Sequence, residues 1–140
     1  MAQVRLTAHI RAAVDLVYQV VADVERYPKF LPDVSRVERS GDIVAMTLRM
    51  GPVPVKLVTR ATFSPPDAIE LQLVEGPFRS FRARWSFTPS GDGTDVTYQA
   101  DYELPLFGLL LTGATSHFLE QATQRQIRAF ESRVRELAEA

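Results

Sequence analysis

Two histidines, no cysteine and a scatter of carboxylates are what this chain offers for acid–base or metal chemistry. His9 falls on the polar side of an alternating stretch, and His117 stands beside Phe118 in a helical one. Neither has a metal-ligand spacing such as HExxH. Without a thiol, disulfides, thiolate zinc sites and cysteine nucleophiles are excluded. His117 is the best candidate for a general base lining a cavity, although a partly exposed helical histidine is the simpler account of it. Asp95, Asp101 and Glu103 alternate with Tyr98 and Tyr102, so they face away from the aromatic side. Asp23 and Glu25 flank the end of a short helix and read as surface charges. The nucleophile pattern GxSxG and the phosphate loops GxGxxG and GxxxxGK[ST] are absent. These residues predict a protein that is not an enzyme and that uses no metal and no cofactor.

The cations are mostly arginine. Arg79, Arg82 and Arg84 share one strand, with Arg60 as a candidate neighbour. Guanidinium groups in such a row suit an anionic head group or a phosphate. Alternation puts Arg82 and Arg84 on a solvated strand face, where charge discourages edge pairing. Arg79 follows the Gly76-Pro77-Phe78 turn and is the better candidate for a cavity mouth. Arg125, Arg128, Arg133 and Arg135 are interspersed with Glu120, Glu131 and Glu136, which makes a solvated helix face rather than a nucleic-acid stripe. A formal net charge of −1 gives no global attraction to DNA or to an anionic membrane.

The apolar side is richer. Met46, Leu48 and Met50 lie on one strand face, and Phe63, Phe78, Phe81, Trp85, Tyr98, Tyr102, Phe107 and Phe118 are spread along the chain after them. Methionine adapts to irregular guests, and Trp and Tyr bring a polar tip to an apolar wall. The candidate ligand-binding residues are Phe30, Leu48, Met50, Phe63, Phe78, Arg79, Trp85, Tyr98, Tyr102, Phe107, Leu111 and Phe118. Periodicity fits a filled core as well as a hollow one, and a plain core is the simpler account.

The elements that must position these residues are legible. At 140 residues, 46% hydrophobic and 24% charged, one soluble domain over 1–140 is expected. Val4, Leu6, Ala8 and Ile10 alternate with polar residues and predict a strand; Val14, Val17, Tyr18, Val21 and Val24 predict a helix. Tyr27–Pro32, bent by two prolines, predicts a short helical turn that caps the sheet. From Val34 to Glu103 about six antiparallel strands follow. Their turns fall at Gly41-Asp42, Gly51-Pro52, Pro65-Pro66-Asp67, Gly76-Pro77 and Ser90-Gly91-Asp92-Gly93. A long helix is expected over Phe107–Leu137, with an apolar stripe through Phe107, Leu110, Leu111, Ala114, Phe118, Leu119, Ile127, Phe130, Val134 and Leu137. The fold class is α+β: a curved antiparallel sheet of about seven strands wrapped around a long C-terminal helix, with two short helices after the first strand.

The run Ala22-Asp23-Val24-Glu25-Arg26-Tyr27-Pro28-Lys29-Phe30-Leu31-Pro32 resembles the signature of the polyketide cyclase/START-like (SRPBCC) superfamily. Glu75-Gly76-Pro77-Phe78 and Trp85-Ser86-Phe87 are similar to its coenzyme Q-binding and ribosome-association-toxin branch, as are the Gly91-Asp92-Gly93-Thr94 turn and the apolar stretch after Pro105. The resemblance covers essentially the whole chain and implies the helix-grip fold. It also implies a polyprenyl quinone or similar lipid bound under the long helix; some relatives are described as binding the large ribosomal subunit instead. One departure stands at the mouth: Asp33-Val34 occupies the place where the quinone-binding branch carries Trp-Cys.

The expected function is therefore to carry or chaperone a hydrophobic small molecule, a quinone or other lipid, in a cavity between sheet and helix. Transient membrane contact and a cytoplasmic location go with it. The N-terminal stretch does not read as a signal peptide. The alternatives are a polyketide cyclase/dehydratase-like enzyme and a ribosome-associating protein. Tyr27–Pro32 and Gly51–Pro54 are the expected lid.

Overall fold

A computed structural model describes residues 2–50, 53–103 and 112–139, with side chains at 3–49, 54–103 and 120–139. The chain runs β1 (Ala2–Ile10), α1 (Val14–Ala22), a six-residue 3-10 turn (Val24–Lys29), β2 (Val34–Ser40), β3 (Ile43–Met50), β4 (Val53–Ser64), β5 (Ala68–Glu75), β6 (Ser80–Ser90), β7 (Gly93–Glu103) and α2 (Thr112–Glu139). The strands form one antiparallel seven-stranded sheet in the order β1-β7-β6-β5-β4-β3-β2. Consecutive hairpins build β2 to β7, and β1 closes beside β7. Residues 107–111 of the expected long helix lie outside the described residues. The helix continues two residues beyond the expected end, to Glu139.

Strand alternation sorts the side chains as periodicity demands. Trp85 and Phe87 are buried, and so are Val96 and Tyr102, while Arg82, Arg84 and Asp95 are exposed on the other face. Two register shifts curve the sheet. Ser35 is the extra residue between Val34↔Leu48 and Arg36↔Thr47, and Val74 is the extra residue between Thr59↔Leu73 and Val58↔Glu75. An unpaired extra residue bends its strand and increases the twist. Val74, set out of register, is left 52% exposed.

The concave face is covered from two sides. α1 buries Val17, Tyr18, Val20 and Val21. Its valines are modest helix formers, so tertiary burial rather than propensity holds this nine-residue helix. α2 contributes Phe130 and Val134, 3% and 0% exposed. Leu137, the last member of the expected stripe, is 39% exposed, in a surface groove shared with Leu16 and Val20 of α1. Where α1 begins, the β6–β7 hairpin folds over the end of β1. Thr94 is fully buried there, and its hydroxyl donates to the Ala12 carbonyl at 2.8 Å. Gly91 carries the hairpin through a φ of +56°, and a Cβ on Gly93 would lie 2.1 Å from the Ile10 carbonyl oxygen.

Candidate functional site

The inner residues of five neighbouring strands enclose an apolar cavity of about 150 Å³. Met46 and Leu48 come from β3, Leu57 and Thr59 from β4, Ile69 and Leu71 from β5, Trp85 from β6 and Tyr98 from β7. Tyr27 and Leu31, from the 3-10 turn and its exit, form one side. Ala122, Thr123, Gln126 and Phe130 of α2 form another. The order follows from register: Ile69 pairs with Trp85, and Trp85 with Tyr98. Same-face partners on adjacent strands must touch.

Of the expected ligand-binding residues, the structure brings together Leu48, Phe63, Phe78, Trp85 and Tyr98 on the cavity wall. Phe30 stands behind that wall. Its ring packs edge-on to Tyr27 and Phe130, with centroids 6.0 and 5.6 Å away. Arg79 is not at the mouth: it does not line the cavity, and its guanidinium lies 3.9 Å from Glu103 on the rim of the opposite face. Tyr102 is buried against Phe78, centroids 5.7 Å apart, and does not line the cavity either. In the β6–β7 pairing it stands opposite Phe81, which does line the cavity. Phe107 and Leu111 lie outside the described residues, as do the side chains of Met50, Phe118 and His117 and most of the expected Gly51–Pro54 lid.

Thr59 and Phe130 are absent from the candidate ligand-binding residues of the sequence, and Tyr27 and Leu31 enter there only as part of the expected lid. Thr59 shares the parity of Leu57 and Ala61 along β4, which was the available signal. For Tyr27 and Leu31 the signal was two apolar residues held by flanking prolines. Phe130 carried none beyond the helical stripe.

The interior is polar only at a few points, and those points are neutral. The Tyr27 hydroxyl donates to the Val21 carbonyl, which ties the turn to the end of α1. Burial pushes the Tyr27 and Tyr98 phenols well above their usual range, so both stay protonated at any physiological pH. The Tyr98 hydroxyl and the Trp85 indole N–H have no hydrogen-bond partner among the described residues. The formal charges bordering the cavity are those of Asp33 and Arg49, the former paired with Arg125 at 3.1 Å. A wall of this kind can bury an apolar guest and offer it neutral polar contacts, the Trp85 and Tyr98 donors among them. Among the described residues no histidine lines it.

The remaining candidates of the sequence fall elsewhere. Arg84 pairs with Glu70, and Arg60 lies 3.5 Å from Asp42, both on the convex face. His9 lies between two carboxylates at the far end of β1, 2.7 Å from Asp95 and 2.8 Å from Asp92.

A curved antiparallel sheet closed by a C-terminal helix over an apolar cavity defines the helix-grip class of α+β proteins. The chain belongs to the family described as polyketide cyclase / dehydrase and lipid transport, whose pattern matches residues 10–131. Within it the chain falls in the ribosome-association-toxin branch. It is 28% identical to the ribosome association toxin RatA of Escherichia coli over all of this chain and 91% of that one. Among solved structures it resembles a START superfamily protein from Mycobacterium smegmatis, with a TM-score of 0.84 at 21% identity over 96% of this chain and 98% of that one. It also resembles the Zhui aromatase/cyclase from a Streptomyces species, with a TM-score of 0.82 at 18% identity over 96% and 93%. These two likenesses are of fold. Among the described residues no helix is long and apolar enough to cross a membrane.

Proposed function

We propose that this protein is a non-catalytic carrier or chaperone of a hydrophobic small molecule, a polyprenyl quinone or another lipid, held between sheet and α2. The observation that carries the reading is a largely apolar cavity whose sheet wall sets the neutral polar groups of Thr59, Trp85 and Tyr98 among aliphatic and aromatic side chains. An acid–base enzyme needs a titratable group poised near the working pH, and the two interior phenols are driven away from it. Burial alone suffices for affinity, at about 0.8 kcal/mol for each CH₂ removed from water. The cavity volume matches that of apolar cavities that take a benzene-sized guest. The ring, or the first isoprene unit, occupies the interior, and a longer chain leaves through the mouth. The cytoplasm is the working compartment, with membrane contact confined to loading and release.

The test is to extract purified protein with organic solvent and examine the extract by mass spectrometry. A stoichiometric quinone or lipid is expected. Protein that yields no such molecule, and then takes none up from lipid vesicles, contradicts the reading.

A second reading is favoured by one finding, the whole-length likeness to a protein named as a ribosome association toxin. In it, this chain docks on ribosomes, and the cavity serves that role or a separate one. Co-sedimentation with large subunits at moderate salt, retained at higher salt, supports it; protein left wholly in the supernatant excludes it.

A further inference from the structure

We infer that the Asp33–Arg125 ion pair is the latch of the cavity and sets how fast a ligand enters and leaves. This rests on the ligand-binding reading above. Asp33 is the residue before β2, and its carbonyl accepts the Arg49 backbone N–H at 2.7 Å, so its backbone is fixed to β3. Its carboxylate Oδ2 accepts from Arg125 Nε at 3.3 Å and from Nη2 at 3.1 Å. Asp33 lines the cavity on the turn side, and Thr123 and Gln126 line it on the helix side. The pair thus spans the seam between the turn segment and α2, and that seam is itself a wall of the cavity.

The rest of the seam differs in kind. Phe130 meets Tyr27 and Phe30 edge-on, with centroids 5.2 and 5.6 Å away, and is 3% exposed. Beyond it Val134 is fully buried. That apolar cluster anchors the helix. Arg125 lies five residues nearer the helix start, about 7.5 Å along the axis. There the Asp33 and Arg125 side chains are 19% and 43% exposed. Among the described ion pairs, this is the only one joining the turn segment to α2; Arg133–Glu136 and Arg135–Glu131 stay within the helix. A solvated pair opens at little cost, whereas the buried cluster does not. The helix therefore pivots at Phe130 and Val134, and the latch is the contact that must break first. Two donors on one carboxylate make this contact directional, so it is either made or broken, while apolar neighbours slide.

The experiment uses the full chain and the fluorescent probe N-phenyl-1-naphthylamine, with dissociation followed by stopped flow. Asp33→Asn is the cleaner variant, because Arg125 has a further contact. Asp33→Asn and Arg125→Gln are each expected to release probe about three- to five-fold faster at low salt, the range for an exposed pair. The double variant should be no faster than the faster of the two single ones, since both remove the same contact. Added salt should speed the native protein toward the variants and leave the variants unmoved. The exchanged pair, Asp33→Arg with Arg125→Asp, should restore slow release. Unchanged rates in folded Asp33→Asn, or effects that add in the double variant, overturn the latch while leaving the cavity reading intact. A native protein that binds no probe overturns both.

Discussion

Trp85 and Tyr98 face each other across the β6–β7 pair, ring centroids 4.7 Å apart and planes tilted by 53°. Phe130 of α2 meets the same indole edge-on at 5.3 Å. This contact joins sheet, cavity and helix at one side chain, so Trp85 is part of the core as well as of the site. At 7% exposure, Trp85→Ala should cost about 3 kcal/mol or more of stability. Burial against Phe130 and Phe87 makes Trp85→Phe the better probe of binding. Denaturant titration should show the large loss for Trp85→Ala and about half or less for Trp85→Phe.

Tyr98→Phe removes a hydroxyl that has no partner among the described residues, so the empty protein should be as stable as the native one. A guest with a carbonyl should lose about three- to ten-fold in affinity, the equivalent of one neutral hydrogen bond. A pure hydrocarbon of the same shape should lose nothing. Calorimetric titration with naphthoquinone and with naphthalene separates the two; equal losses for both guests would remove the hydroxyl from the site.

Gly93 is confined by its neighbours rather than by its own backbone. Any Cβ there meets the Ile10 carbonyl at 2.1 Å and the Arg11 Cα at 2.8 Å. Gly93→Ala must push the β6–β7 hairpin off the start of α1 and strain the buried Thr94–Ala12 contact. The expected loss is about 1–3 kcal/mol, as for other overpacked sites, and thermal unfolding reads it. A variant as stable as the native chain would mean that the hairpin moves freely.

The His9 cluster at the same end gives a pH signature. Hydrogen bonds that His9 donates to Asp92 and then to Asp95 raise its pKa above the ordinary 6.5, against a smaller effect of desolvation. The bond to His9 holds Asp92 below 3.8, with Arg11 adding to it; His9 and then Ser90 do the same for Asp95. A raised imidazole stabilises the fold fully below 6.5, and that stability is lost as pH climbs through the folded value. The lowered carboxylates stabilise it above 3.8 and lose that stability as pH falls. The contribution is therefore greatest between the carboxylate and imidazole ranges. His9→Gln should flatten the fall in melting temperature as pH rises above 6.5, and the same fall in the variant would assign it to other groups.

Much of this architecture is written in the periodicity. The strands from Val34 to Glu103 announce themselves by alternation, and Ser90-Gly91-Asp92-Gly93 by its turn residues, because a half-buried strand exposes every second side chain. The cavity is less legible. Leu48, Trp85 and Tyr98 meet through register, and register depends on hairpin geometry and on the extra residues Ser35 and Val74, which leave no mark in the hydrophobic pattern. Arg79 shows the limit in the other direction. Its place after a turn suggested a cavity mouth, but pairing of Ser80 with Glu103 sets it beside a carboxylate on the opposite side. Asp33, met in the sequence as a departure from a family pattern, acquires its meaning only when α2 brings Arg125 to it.

Trp85 is the only tryptophan in the chain and lines the cavity, so the indole emission comes from the cavity wall alone. Titrating the protein with a short-chain quinone while following that emission tests the central claim most directly. A saturable, one-to-one quench that weakens in Tyr98→Phe is the predicted result. A quench that rises linearly with quinone and is indifferent to Tyr98 would mean that the quinone only collides with the surface, and would contradict the assignment of this cavity as the binding site.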